Sequence, residues 1–469
     1  MPNNIVTVAV SQTVAPTPST LQKMGALISQ GATTIGAGNF QLLTQLSDLT
    51  SILQGALALS SLTWSGGVVT GTTAAPHGFV NGQIIQLTIA GAVPSGYNGT
   101  YNCTITGASL FTYAHAGTLT TPAGTPGTYT EEDVAELFSM ATTFFAQGSQ
   151  QAVYVLELGQ GDAATGVAAL LAYITANPNA NYTSGAQGFF YSYLVPRNWS
   201  DESTYLTMLQ SFQNPTSKVY FWTTMSLGNY TNFTALNKDV FGLIQAPATP
   251  ITEFTCAAPF FWGLVNQPSA TNKVPPFAFT FLFGVTPYPT KGNSSLLATL
   301  KTAGVNVVGT GAEGGISNAI LLWGTTMDLR PFTYWYSVDW IQINTQLNVA
   351  NAVINGSNNR INPLYYNQEG INRLQGVAAQ TFSNAVTFGL ATGTVVQTAL
   401  DGPAFGAAID AGQFNGKLVV NAIPFLTYLG ENPGDYKIGE YDGLSGLYVT
   451  QNGFIHILFN IDVTDFVVQ

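Results

Sequence analysis

The sequence of 469 residues has few charges. Only 7% of the residues are Asp, Glu, Lys or Arg, against about 25% in an ordinary globular domain. The 12 basic residues form no cluster that could neutralise phosphates, and the 23 acidic residues bring the net charge to -11. We therefore expect neither nucleic acid nor an anionic membrane as a partner. So weakly charged a surface suits a chain that buries much of itself in an assembly.

Cysteine and long apolar runs are also scarce. Cys103 and Cys256 are too few for a disulfide framework or a cysteine zinc site, and their apolar surroundings favour inert packing. No stretch reaches the roughly 18 apolar residues of a membrane-spanning helix. The start, MPNNIVTVAV, lacks the basic region and apolar core of a secretory peptide. These absences predict a protein made and used in a reducing cytosol, with no direct membrane insertion.

Residues suited to catalysis are few and scattered. The sequence has three histidines, His77, His115 and His456. None has a second histidine or a carboxylate at ligand spacing, so turn-capping or strand-face roles are favoured over metal or triad sites. Glu131, Glu132 and Asp133 stand in the first turn of a predicted helix, where they compensate the helix dipole. We expect no enzymatic activity, no metal and no cofactor.

One glycine motif matches the pattern of a dinucleotide-binding site. Gly309, Gly311 and Gly314 satisfy G-x-G-x-x-G directly after a predicted strand. In a dinucleotide fold such glycines open a helix, whereas the continuation ISNAILLWGTTM is typical of a strand. The motif also falls late in the chain. A glycine-rich hairpin or loop between two strands is therefore the favoured interpretation.

Residues 63–129 differ in texture from the chain on either side. They are rich in Gly, Thr and Pro, with short β-rich runs at 83–89, 101–106 and 110–113. This spacing of strands and turns predicts a small all-β module. Immediately after it, Thr130 is expected to cap a helix over EEDVAELFSMATTFFAQ. The module is therefore predicted to be inserted into an α/β domain.

The α/β domain is predicted to alternate strands and helices. Strands are expected at 152–158, 188–195, 218–224 and 251–255, and helices at 162–175, 201–212 and 232–244. Such alternation implies a largely parallel sheet with helices on its faces. Two long helices, at 336–355 and 367–390, are expected before the strands that close the chain.

Both ends of the chain carry alternating apolar residues. Asn452-Gly453 predicts a hairpin in which 446–451 folds back on 454–459. The alternation continues along one face through Ile455, Ile457, Phe459, Ile461, Val463 and Val467. Residues 460–469 would then form an open sheet edge, which is either covered internally or belongs to another subunit. At the start, Val6, Val8 and Val10 share one face before the linker APTPST.

The order of these elements resembles that of the contractile tail sheath proteins of phages and related injection machines. The matching pieces are LSDLTSIL, EEDVAELFSMATTFFAQG, QAVYVLEL, LKTAGVNVVGT, NAILLWGTTMDL and YWYSVDWIQINTQLN. The family's Trp-Gly pair is present at Trp323-Gly324, but Thr325, Thr326 and Met327 stand where its arginine and threonine fall. Asp339-Trp340 replace its basic pair. The insert, with HGFVNG, GYNGTY and FTY, resembles small β modules of phage virion proteins.

The resemblance implies both a fold and a function. The expected fold is α/β, a mixed sheet with flanking helices, an inserted small all-β domain and exchanged terminal strands. The implied limits are an arm and linker at 1–20, a sheath domain at 21–62 plus 130–315, an outward-facing insert at 63–129 and a C-terminal domain at 316–469. The residues implied in strand exchange between subunits are Val6, Val8, Val10, Ile461, Val463, Phe466 and Val467.

As a sheath subunit the chain would polymerise helically around a tail tube and contract to drive the tube through the host envelope. Its partners would be copies of itself, the tail tube protein, and baseplate and tail terminator proteins. It would be assembled in the bacterial cytoplasm and end in the virion tail. Two other classes stay open: a tail fibre, receptor-binding or other virion structural protein, and a doubly wound enzyme, which would need a convergent polar site.

Overall fold

A computed structural model describes residues 20–177, 190–214, 217–236, 238–310 and 318–455. Its strands in chain order are β1 (Gly25–Ser29), β2 (Phe40–Leu43), β3 (Leu57–Ser65), β4 (Val68–Thr73), β5 (Ile84–Ala90), β6 (Gly99–Gly107), β7 (Leu110–Ala114), β8 (Thr128–Glu131), β9 (Val153–Glu157), β10 (Ser192–Leu194), β11 (Tyr220–Met225), β12 (Val240–Ile244), β13 (Asn306–Thr310), β14 (Ala319–Leu321), β15 (Thr394–Thr398), β16 (Lys417–Ala422) and β17 (Leu444–Leu447).

Its helices in chain order are α1 (Leu46–Thr50), α2 (Glu132–Phe145), α3 (Ala163–Ala176), α4 (Ser203–Gln210), α5 (Ala257–Leu264), α6 (Ser294–Thr302), α7 (Phe332–Asn358), α8 (Gln368–Thr387), α9 (Gly402–Asp410), α10 (Phe425–Glu431) and α11 (Asp435–Ile438). Some begin at clear caps. The Asp162 carboxylate accepts a hydrogen bond from the Thr165 amide at 2.8 Å, which satisfies one free donor at the start of α3.

The main sheet has eight strands in the order β14-β13-β12-β11-β10-β1-β9-β2. The six strands from β13 to β9 run parallel, and the two edge strands, β14 and β2, are antiparallel to their neighbours. Both faces are covered. On β11, Phe221 meets Tyr205 of α4, whereas the next residue, Trp222, meets Phe260 of α5 on the other face. This packing explains why the central strands are apolar throughout their length.

Six short strands form a closed barrel in the order β3-β4-β7-β6-β5-β8. The alternate residues that face inward form a hydrophobic cluster separate from that of the main sheet. Its largest members include Phe111 of β7 and Tyr129 of β8, together with Tyr97 from the turn between β5 and β6, and all three are buried. The chain enters through β3 and leaves through β8, and these two strands pair, with Ala58 opposite Thr128. The barrel is therefore a module whose two ends lie side by side.

The C-terminal part combines two long helices with a small sheet. Helices α7 and α8 pack together, and Asn348 of α7 donates a hydrogen bond to Thr381 of α8 at 2.9 Å. The sheet has three strands in the order β15-β16-β17. Gln375 of α8 donates to the carbonyls of Thr398 and Val420, which ties the helix to the sheet.

The architecture confirms the predicted fold class, an α/β protein with a mixed sheet, flanking helices and a small inserted β domain. The exchanged terminal strands lie outside the described residues. The β-rich runs predicted within the insert correspond to β5, β6 and β7. The barrel itself begins at Leu57 and ends at Glu131, so it is wider than the segment 63–129 expected from the change in texture.

Two predictions between β11 and α5 are wrong. Residues 232–244 were expected to form a helix, but 240–244 is the buried strand β12. A short, uniformly apolar run does not distinguish a buried strand from a helix. Residues 251–255 were expected to form a strand, but they form a turn that leads into α5. The Glu253 carboxylate holds this turn by accepting hydrogen bonds from Thr255 and Thr286.

Two local predictions are also wrong. Thr130 does not cap α2, because its backbone is paired with Thr88 in the barrel and Glu131 occupies the cap position. Asn452-Gly453 does not form a type I′ turn, since neither residue has positive φ. Instead the chain just before it pairs with 390–392: the amide of Thr392 donates to Val449, and that of Gln451 to Leu390.

The glycine motif lies between two strands, as the sequence predicts. Gly309 is within β13, and the following described element is β14, antiparallel to it. Gly311 and Gly314 lie outside the described residues. The described chain resumes after the motif as a strand, so its described part offers no helix N-terminus of the kind that binds a pyrophosphate.

Candidate functional site

The residues predicted to exchange between subunits cannot be placed. Val6, Val8, Val10, Ile461, Val463, Phe466 and Val467 all lie outside the described residues, as does His456. Strand exchange therefore stays a prediction. What the structure does describe is the surface from which the C-terminal segment departs.

That surface is the small sheet. Its central strand, β16, is buried from Leu418 to Ala422, whereas β15 and β17 are half-buried or exposed. Within the described part of the chain, each of these outer strands pairs only with β16. An edge strand of this kind presents main-chain donors and acceptors that another extended segment can pair with. We refer to the outer sides of β15 and β17 as the open edges.

The C-terminal segment begins close to these edges. Leu390–Thr392, which precede β15, hold Val449–Gln451, which follow β17, through hydrogen bonds of 2.9 Å and 3.0 Å. Ile455, the last described residue, packs against the hydrophobic core. Near the end of the described chain, Phe454 is 76% exposed. The described residues that lead into the alternating apolar segment are thus tied to the chain just before β15.

Exposed apolar side chains also occur on the helices that connect β16 to β17. Leu426 of α10 is 78% exposed and Ile438 of α11 is 68% exposed. Tyr436 packs edge-on against Phe425 with ring centres 5.7 Å apart, yet it too is half exposed. Apolar exposure of this extent on one region is typical of a surface that contacts another protein.

The main sheet also has an edge strand without a second partner in the described chain. Strand β2 pairs with β9 alone among the described strands, and three of its four residues are exposed, including Phe40 and Leu42. Phe40 packs edge-on against Tyr154 and Phe190. This edge is short, which limits how much chain could pair with it.

A cavity of about 1070 Å³ lies at the carboxyl ends of β11 and β12, beneath the barrel. Ligands of open parallel sheets commonly bind at this position. Its main charged pair is Arg197 and Glu136, with nitrogen and oxygen 3.5 Å apart. Arg197 also donates to the Glu253 carbonyl at 2.6 Å and lies over the Phe254 ring. These contacts fix the guanidinium in the wall of the cavity.

The cavity is lined by carboxyl, hydroxyl and amide groups and by the guanidinium of Arg197. Its lining, which belongs wholly to the described chain, includes no histidine or cysteine. Glu131 is its most deeply buried carboxyl, and burial raises its pKa to about 8. Sequence reasoning missed Glu136 and Arg197. Their signal was positional, because Arg197 follows β10 at the carboxyl edge of the sheet.

The remaining candidate residues have structural contacts. Burial raises the pKa of the Cys103 thiol to about 12 and raises the pKa of Cys256 further, so both thiols are unreactive packing groups. The Nδ1 atom of His77 accepts a hydrogen bond from the Phe79 amide at 3.1 Å, as expected for a turn-capping residue. His115 makes a similar contact with Gly117. The described side chains include no group of three or more His, Cys, Asp or Glu residues arranged to hold a metal.

Comparison with known proteins does not establish a family for the chain. No family model matches the chain, and no curated protein matches it. A sheath tail protein from Listeria innocua overlaps with it at a TM-score of 0.39 and 9% identity, over 79% of this chain and 85% of that one. An overlap this loose does not establish a shared fold. Of the helices in the described ranges, none has the length and apolar character that crossing a bilayer requires.

Proposed function

We propose that the chain is a structural subunit of a contractile phage tail sheath. The observation that carries the proposal is the small sheet with its two open edges, beside which the alternating apolar C-terminal segment begins. The resemblance in the order of elements, the 7% of charged residues and the exposed apolar helices α10 and α11 support it. All four features are properties of a protein that works as part of a polymer.

In this proposal, terminal strands link neighbouring subunits. Residues 460–469, and the N-terminal arm within 1–20, add to the open edges of the small sheets of adjacent copies. The apolar side chains that alternate along these strands, such as Ile461 and Val463, contribute about 1.5–3 kcal/mol each when buried. Three or four of them can exceed the cost of ordering a tethered arm. Main-chain pairing fixes the register, and the linker lets the joined subunits hinge.

The action of the assembly is mechanical. Subunits surround a tail tube in an extended lattice and collapse to a shorter, wider one when the baseplate triggers them, while a terminator protein ends the polymer. The free energy released is the difference between two packings of the same chain. Two domains form the lattice, one at 21–62 plus 130–315 and the other at 316–469. The insert, with limits near 63–129, faces outward from the lattice. The assembly penetrates the host envelope without a cofactor.

Removal of residues 460–469 tests the proposal. Because the partners of this segment lie in other subunits, the truncated chain should lose polymerisation while its free energy of unfolding stays within about 1–2 kcal/mol of the full-length value. Sedimentation and denaturant unfolding measure the two quantities. A truncated chain that unfolds early would mean that the segment belongs to its own subunit's core, and one that still polymerises would exclude strand exchange.

A matched pair of substitutions sharpens the test. Val463→Pro removes a ladder donor and fixes φ away from the strand value, so it should act like the truncation. Val463→Ile keeps the amide and the branched shape and should polymerise normally. Negative-stain microscopy of the full chain should show tubes or striated polymers. Uniform small particles would instead favour a different virion role, such as a fibre.

A further inference from the structure

The described structure contains a buried charged cluster that the proposed function does not use. It lies where α7 crosses the main sheet, near the start of β11 and β12. Asp339 of α7 has no exposed surface, and Lys218 and Lys238, which precede the two strands, are 3% and 1% exposed. Buried charges are costly unless they are paired and hydrogen-bonded, so the details of their pairing are informative.

The two oxygens of Asp339 have different surroundings. Oδ2 accepts hydrogen bonds from the hydroxyls of Tyr191 at 2.9 Å and Tyr220 at 2.7 Å. Oδ1 has no hydrogen-bond partner in the structure and lies 4.0 Å from Nζ of Lys218. An ordinary buried ion pair would hydrogen-bond the ammonium to this oxygen. Here the carboxyl is held by two phenols on one side and faces an amine on the other.

Lys218 is held in this position by the same helix. Its Nζ donates to Oε1 of Gln342 at 2.7 Å, and Gln342 lies one turn after Asp339 on α7. The amine is therefore fixed beside the carboxyl but not bonded to it. Proximity and orientation of this kind can convert a slow bimolecular condensation into a feasible intramolecular one.

We propose that Lys218 and Asp339 form an intramolecular isopeptide bond in the folded protein. The neutral amine of Lys218 attacks Cγ of the protonated Asp339 carboxyl, and a carbon–nitrogen bond forms. The Tyr191 and Tyr220 hydroxyls stabilise the charge that develops on Oδ2, as donors of an oxyanion hole do. The bond from Cγ to Oδ1 breaks, and Oδ1 leaves as water with its own proton and one from the amine. No oxidant, cofactor or second substrate is needed.

The environment favours the reactive forms of both groups. Burial lowers the pKa of the Lys218 ammonium and raises the pKa of the Asp339 carboxyl. Proton transfer within the pair gives a neutral amine and a neutral acid, which a site shielded from water accommodates more easily than two charges. A desolvated lysine is also the usual form of a nucleophilic lysine in proteins.

The second lysine of the cluster has other contacts. Nζ of Lys238 donates to the Ser217 carbonyl and lies 5.1 Å from the Tyr220 ring centre and 5.0 Å from that of Trp335. Burial lowers the pKa of Lys238 as well, but the two aromatic faces and these contacts hold its amine away from the Asp339 oxygen that has no hydrogen-bond partner. The bond is therefore assigned to Lys218. It would fasten α7, the longest helix described, covalently to the main sheet.

The mass of the intact, denatured full-length chain tests the proposal. The chain should be lighter by one water than its sequence requires, and peptide sequencing by mass spectrometry should find Lys218 joined to Asp339. A mass equal to that of the sequence would overturn the proposal, leaving an ordinary buried ion pair. A cross-link to Lys238 would also overturn it, because the bond is assigned to Lys218.

Four variants separate the chemistry from the fold. Asp339→Ala and Lys218→Arg should have the full mass of their sequences, whereas Lys238→Arg should still lose one water. Asp339→Asn should lose ammonia in place of water if the bond forms there. Loss of one water from Asp339→Ala would place the reaction elsewhere and contradict the assignment. None of these outcomes depends on polymerisation, so the test is independent of the proposed function.

Discussion

Glu131 lies at the junction between the barrel and the α/β domain, as the last residue of β8 and the cap position of α2. One of its carboxylate oxygens is buried without a hydrogen-bond partner. Burial is the main cause of its raised pKa, with smaller contributions from the charges of Glu157 and Glu132. The carboxyl is therefore mostly neutral in the folded protein at pH 7.

The raised pKa predicts a stability that falls as pH rises. Between the usual glutamate pKa and about 8, the folded chain holds a proton that the unfolded chain has lost. In this window the free energy of unfolding should decrease by up to about 1.4 kcal/mol per pH unit on account of Glu131. Above pH 8 the decrease should stop. Glu131→Gln, measured by denaturant unfolding from pH 5 to 9, should remove this slope.

The exposed Glu369, in the first turn of α8, supplies the control. Glu369→Gln should keep the pH dependence of the parent chain. If Glu131→Gln keeps the parent's slope as well, the carboxyl of Glu131 is hydrated and its pKa is not raised.

Gly127 is a second residue on which the barrel depends. Its φ is +78°, and an added Cβ would collide with the backbone carbonyl of Ala90 and the amide of Ala92. Gly127→Ala should destabilise the protein by at least about 1–3 kcal/mol in denaturant unfolding. At Gly124, φ is not positive and the nearest contact of a Cβ is 3.8 Å, so Gly124→Ala should be close to neutral. Equal effects from the two variants would contradict this explanation.

The burial of Glu131 could not be predicted from its position in the sequence. Three acidic residues at the start of a helix indicate dipole compensation, and Glu132 and Asp133 do lie in that first turn. Glu131 is buried because β8 belongs to the barrel, and this pairing joins residues more than forty positions apart, such as Leu87 and Glu131. The pattern of neighbouring residues does not show which distant strand will pair with β8.

Among the helices and strands, those with strong hydrophobic periodicity were predicted close to their observed positions. The helices α3, α7 and α8 and the strands β9 and β11 lie close to where their patterns predict them. The errors occurred where tertiary contacts decide. VFGLI became β12 because it lies between two parallel neighbours, β11 and β13. The Asn452-Gly453 signal was overridden because the chain before it pairs with 390–392.

The barrel should be removable as a unit. Replacing residues 57–130 by a short Gly/Ser bridge should leave a chain that is soluble, unfolds cooperatively on heating and still polymerises. The reasons are its separate hydrophobic cluster and the few polar contacts beneath it, such as Gln83 with the Gly161 carbonyl. The ends to be bridged belong to paired strands, whose Cα atoms lie about 5 Å apart.

A narrower excision serves as the comparison. Removing 63–129 would keep the first part of β3 without its partners and expose Leu59 and Leu62, which are buried in the intact barrel. That chain should be less soluble than the one lacking 57–130. If the wider excision abolishes cooperative unfolding, the barrel is part of the α/β core and not a separate module.

For the whole molecule, the net charge of -11 sets the response to salt. Copies of the chain repel one another, while the proposed contacts are main-chain hydrogen bonds and apolar side chains, which salt does not screen. Raising sodium chloride from about 0.1 M to about 1 M shortens the screening length from about 10 Å to about 3 Å. Sedimentation should therefore show equal or greater polymerisation at high salt. Polymers that dissolve there would indicate that ionic contacts hold them.

The fold class could be predicted from the sequence, whereas the sheet edges, the cavity and the buried charged cluster could not. Alternation of apolar runs predicted a sheet between helices, and the change in texture predicted a β module. The open edges of β15 and β17, the cavity lined by Arg197 and the cluster around Asp339 arise from strand order and helix crossing. These features depend on contacts between residues far apart in the chain, which local sequence patterns do not predict.

The adjacent ends of the barrel have a consequence for how such a chain changes over time. Because β3 and β8 pair at Ala58 and Thr128, the two chain ends that flank the barrel lie side by side. A domain inserted between them therefore need not change the distance between the parts of the chain on either side. A foreign domain with neighbouring termini could replace the barrel without altering the main sheet. Recombination could therefore exchange one module for another at this site, and in the proposed polymer a chosen domain could be displayed in many copies.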